Sequence, residues 1–160
     1  MNRPEYFNTA LRRGSGEPRD LIARVDAEVR DRIGEAVDFV CLEAMVQSRH
    51  ARALPAPAPD STRDRAEFEA SVEAFLARLG DEISTALGPE QRQTLETAVG
   101  RASGDRLARL LAAQVALAKL LPDYWQRFEN VRAAYAAEPG EPAPTSGRDR
   151  PGWLDRLLGR

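Results

Sequence analysis

The chain has 160 residues, 42% of them hydrophobic and 30% charged, with a net charge of −2. That composition is too apolar for a fully disordered chain, and its charge excludes a global electrostatic pull toward nucleic acid or an anionic membrane. A single cysteine, Cys41, excludes an internal disulfide and a cysteine-based metal site.

The basic residues are 22 Arg and one Lys, Lys119. With the abundant alanine, this points to a GC-rich bacterial source. A cytoplasmic location is expected, because secreted chains of this size more often carry paired cysteines. Residues 1–7 show no apolar run behind a basic start, so no signal peptide is expected. The longest apolar stretch, residues 107–121, is broken by Arg109, Gln114 and Lys119 and is shorter than the roughly 20 residues that cross a bilayer.

Helical periodicity dominates the rest. Residues 1–17 predict a short helix and turn, with Tyr6, Phe7, Ala10 and Leu11 on one face. From Arg19 to about Ala53, the residues Ile22, Val25, Val29, Ile33, Val37, Val40 and Ala44 recur at gaps of three or four, predicting one apolar helix face. Phe39, Leu42 and Met45 add a second apolar face, so burial on more than one side is expected there. Pro55, Pro57 and Pro59 then end the helix in an extended connector over residues 54–60.

Ser61 and Asp64 stand at capping-box spacing ahead of a helix whose apolar face is Phe68, Val72, Phe75, Leu76, Leu79, Ile83 and Leu87. Gly88 and Pro89 close that helix and open a short one carrying Leu95, Ala98 and Val99. Ser103, Gly104 and Asp105 predict a break. Residues 107–121, apolar nearly all round, read as the central helix of the bundle. After Pro122, the residues Tyr124, Phe128, Val131 and Tyr135 face the core, with Trp125 beside them. The domain therefore runs over residues 18–138. Residues 139–151 are a linker by composition, and residues 152–160 form an apolar tail. The fold expected is all-α, a bundle of about five helices with a short amphipathic helix at each terminus.

Motifs for chemistry are nearly absent. No Gly-rich phosphate loop, dinucleotide fingerprint or nucleophile elbow is present. His50 is the only histidine, which leaves a triad or an imidazole-based metal site without further nitrogen ligands. It stands at a helix end, where a cation complements the dipole. Cys41 reads as a small core residue. A helix-turn-helix rhythm runs through residues 87–109, but the would-be recognition helix is mostly Leu and Ala, whereas a base-reading helix needs exposed polar side chains.

The tail carries the functional expectation. Trp153, Leu154, Leu157 and Leu158 make one face of a short helix, with Asp155 and Arg156 opposite. Burying four such side chains yields roughly 6–12 kcal/mol at most. Ordering the segment costs roughly 8–16 kcal/mol of backbone entropy. Such a motif acts on a preformed pocket or through avidity, and it can seat on a partner, on its own bundle or on a membrane surface. The reading is a non-enzymatic bacterial adaptor or accessory subunit, without cofactor, metal or nucleic acid. It binds another protein, with Trp153, Leu154, Leu157 and Leu158 as the partner-binding residues. A homodimer is the other assembly the sequence allows. The alternatives are a peripheral membrane-associated protein using the same tail, and a small helical ligand- or metal-binding protein using His50, Cys41 or core carboxylates.

Overall fold

The computed structural model describes residues 21–102 and 104–137. The helix expected over residues 1–17, the linker 139–151 and the tail with Trp153, Leu154, Leu157 and Leu158 lie outside the described residues. Those described form five helices and no strand: α1 (Leu21–Ala51), α2 (Thr62–Ser84), α3 (Pro89–Arg101), α4 (Arg106–Leu120) and α5 (Tyr124–Ala137). The all-α bundle is as the periodicity predicts.

α1 ends in a Schellman motif. The Leu54 N–H donates to the Arg49 carbonyl at 2.8 Å and the Ala53 N–H to that of His50 at 3.0 Å. Ala53 occupies the left-handed position, φ 55°, where glycine is usual. The connector that follows is fastened to both helices. Arg49 reaches across to Asp64 at 2.9 Å and to Glu67 at 2.7 Å. The other Asp64 oxygen accepts the Ala58 N–H at 2.8 Å, and Arg65 donates to the Pro59 carbonyl at 3.1 Å. Ser61 caps α2 by accepting the Asp64 N–H at 3.1 Å. Half of the expected capping box is thus present. The Asp64 carboxylate turns instead to the connector and to Arg49.

α2 buries every residue of its predicted face, Phe68 through Ile83, and Leu87 just beyond it. It stops at Ser84, and Gly88 is the N-cap of α3 rather than the terminator of α2. The Gly88 N–H donates to the Gln91 side chain at 3.0 Å, and Pro89 takes the first helical position, where its missing N–H costs nothing. Gly104, at φ 105°, makes the turn into α4, which Asp105 caps through the Ala108 N–H at 2.9 Å.

α4 packs against each of the other four helices. Leu107, Leu110, Leu111, Ala113, Val115 and Leu117 are all buried. Among the residues of α4, the buried polar side chain is Gln114, with no exposed surface. Its amide donates to the Leu76 carbonyl of α2 at 3.4 Å and accepts the Tyr124 hydroxyl of α5 at 2.8 Å. A helix carbonyl keeps a second lone pair, so Leu76 can take this bond. Around it the rings of Phe75, Tyr124, Trp125, Phe128 and Tyr135 pack mostly edge-on, Phe75 lying 5.0 Å from Tyr135 and 6.1 Å from Phe128. Three helices are thereby pinned in register by one glutamine.

Candidate functional site

The expected face of α1 is only partly the buried one. Ile33, Val37 and Val40 are buried, but Val25 is 46% exposed. The buried arc is turned toward Gly34, Asp38, Cys41 and Met45. The second expected face divides likewise: Met45 is buried, Leu42 is partly buried and Phe39 is 52% exposed. The correction has a geometric cause. α1 runs for 31 residues, and α2, α4 and α5 flank it on one side.

The outer side is where large apolar residues meet solvent. Leu21 (72% exposed), Val25, Phe39 and Val46 (42%) fall within one sector of the helix. Val25, Arg32, Phe39 and Val46 repeat at intervals of seven. Exposed Glu28, Glu35 and Glu43 lie between them. Single exposed apolar residues are ordinary on a protein surface. A set in register along one face marks a contact surface more specifically. Its densest part is Phe39, Leu42 and Val46.

α5 borders this face. The Arg32 guanidinium sits 4.3 Å from the centre of the Trp125 ring, a cation–π contact between α1 and α5. Further along, the charge of Glu43 acts on Arg132, whose guanidinium is also paired with Glu129.

A second feature is an open cleft of about 310 Å³ between α1, α3 and α4, lined by Asp26, Arg30, Ala98, Arg101, Val115 and Lys119 among others. Lys119 lies 3.2 Å from Asp26. That separation makes an ion pair across the cleft, while the same Asp26 oxygen, though buried, accepts no hydrogen bond of proper geometry.

The residues considered for chemistry are not brought together. Cys41 is fully buried, and burial, reinforced by the charge of Asp38, pushes its thiol well above the usual range, which keeps it protonated and unreactive. His50 is exposed in the last turn of α1, about 13 Å of helical rise from Cys41. Among the described residues no group of three or more His, Cys, Asp or Glu side chains could hold a metal ion. The α4 leucines that follow the helix-turn-helix rhythm lie in the core, away from any groove. None of the described helices is long and apolar enough to cross a membrane.

Sequence reasoning missed the α1 face. Its signal was present in the spacing of Val25, Phe39 and Val46 at multiples of seven, but Val25 and Phe39 were assigned to buried faces and Val46 to none. No protein-family model, curated protein or solved structure matches the chain.

Proposed function

We propose that the chain is a bacterial, cytoplasmic adaptor or accessory subunit, without catalytic activity of its own, that binds another protein. The observation that carries this reading is the set of exposed apolar residues within one sector of α1: Leu21, Val25, Phe39 and Val46. An amphipathic helix or groove of a partner would cover Phe39, Leu42 and Val46, and Glu35 and Glu43 would select a basic rim on it. The C-terminal anchors Trp153, Leu154, Leu157 and Leu158 supply a second, tethered contact, and two weak contacts on one chain gain from effective concentration.

The test is capture from native lysate, with the partner identified by mass spectrometry and its affinity then measured with purified components. The wild-type chain is compared with Phe39→Glu/Val46→Glu and with Trp153→Ala/Leu157→Ala. Loss of a single central anchor worth about 2 kcal/mol weakens binding about thirtyfold. An identified partner that binds all three chains with equal affinity would remove both surfaces from the reading.

A further inference from the structure

We propose that the cleft between α1, α3 and α4 is a binding site for a small organic monocarboxylate with an apolar body and a hydrogen-bond donor at its far end. The cleft shares no residue with the surface proposed for a protein partner, so either can fail without the other.

The floor of the cleft comes from the sequence. Ala98 and the C-cap residue Ala102 stand one turn apart at the end of α3, and Ala112 and Ala116 one turn apart on α4, so each pair shares a face. All four are partly buried, and Val115 beside them is buried. Protein interiors are close-packed as a rule. Here small side chains on two helices border a gap of about 310 Å³. That is the lower end of the roughly 300–1,000 Å³ of small-molecule pockets. A carbon floor of this size suits a flat apolar body.

The charges stand at its two ends. Gln91 of α3 donates to the Leu120 carbonyl of α4 at 3.4 Å, and residues 102–105 join the other ends of these helices, so the two run antiparallel. Arg101, ten residues after Gln91, therefore comes about level with Leu110, roughly 13 Å of rise from Lys119. Both side chains line the cleft. Lys119 is offset by Asp26 at 3.2 Å, and Arg30, one turn from Asp26 on α1, is offset by Asp31 at 3.4 Å. With the exposed Arg101, these three cations and two carboxylates leave one positive charge. One charge selects a monoanion over a doubly charged phosphate ester, and the planar fork of arginine matches a carboxylate. At the other end Asp26 keeps a buried oxygen that accepts no hydrogen bond among the described residues. A ligand hydroxyl would satisfy it. A para-hydroxy aromatic acid carries its carboxylate and its hydroxyl at opposite ends of a flat ring, which is the pattern the cleft presents.

The experiment titrates the full chain with para-hydroxybenzoate and follows backbone amide shifts by NMR. Saturable shifts are expected at Ala98, Arg101, Ala112 and Ala116, with a dissociation constant of about 1 mM for so small a ligand in so open a cleft. Two control compounds each lack one feature: para-cresol has no carboxylate, and para-methoxybenzoate has no donor. Both are expected to bind about tenfold more weakly. Arg101→Gln, at an exposed position, should weaken para-hydroxybenzoate by about tenfold as well. Ala116→Leu fills the floor and should remove binding, with helical circular dichroism unchanged. Shifts that do not saturate, or that scatter over the bundle, would overturn the proposal. So would equal binding of either control compound. Wild-type affinity in Arg101→Gln would overturn it too, whether or not Ala116→Leu folds.

Discussion

α1 and α4 are both apolar helices in the same bundle, and they use their apolar residues in opposite ways. α4, at 15 residues, packs against every other helix and hides nearly all of its circumference. α1, twice as long, meets the other described helices on one side, and Val25 and Val46 on its outer side are 46% and 42% exposed. Burial follows the number of neighbours a helix has, and side-chain hydrophobicity alone does not fix it. An apolar residue buried on α4 therefore contributes more to folding than Val25 or Val46, which keep much of their surface exposed.

The sharpest way to break that contrast is to truncate one residue of each kind. Leu117→Ala is expected to cost about 2–5 kcal/mol in urea unfolding, because it opens a cavity that the surrounding helices cannot close. Val46→Ala is expected to stay within about 0.5 kcal/mol of wild type. Comparable losses at the two positions would mean that the outer face of α1 is core after all.

The polar pin in α4 comes next. Gln114→Leu leaves the buried Tyr124 hydroxyl without its acceptor and is expected to cost about 1–3 kcal/mol. Adding Tyr124→Phe should restore part of that loss, since both ends of the missing bond are then apolar. A double-mutant cycle reads the coupling directly, and additive losses would show that the 2.8 Å bond contributes nothing of its own.

At the end of α1, Ala53→Gly should raise stability by up to about 1 kcal/mol, because glycine adopts the left-handed position at lower steric cost. An unchanged denaturation midpoint would show that the gain is cancelled by the extra freedom of the unfolded chain.

The smallest effect is the pH dependence of the Asp64 clamp. Hydrogen bonds from Arg49 and from the Ala58 N–H hold this carboxyl below its ordinary value of 3.8. The sign follows: its contribution is fully present above that value and is lost as pH falls through the depressed one. Asp64→Asn should therefore flatten the acid limb of the stability–pH curve and change little at neutral pH beyond the loss of the pair itself. An acid limb identical to that of wild type would assign the dependence to other carboxylates.

Much of the bundle was legible because local rules and packing agree. Phe68 through Ile83 repeat at helical spacing on a helix with one buried side, so pattern and burial coincide. Gly88–Pro89 and Gly104–Asp105 punctuate the chain through backbone chemistry that needs no tertiary context. On α1 the same counting failed. Two apolar stripes were present, and spacing cannot say which one meets a neighbour; that depends on where α2 and α4 come to lie. The role of Gln114 was hidden for the same reason. It read as a polar interruption until Leu76 and Tyr124 were seen on either side of it. Residues 152–160 carry a pattern that three different surfaces could satisfy, and their own sequence does not choose among them.

The connector between α1 and α2 illustrates how accessibility and cleavability come apart. Arg52 to Ala56 are exposed and Pro57 is buried, and the segment is held by Arg49, Asp64 and Arg65 at several points. A protease must draw several residues into an extended conformation in its cleft. Here that would require releasing the Ala58 and Pro59 contacts and unwinding the Schellman turn. The loop is a brace that fastens the end of α1 to the first turn of α2.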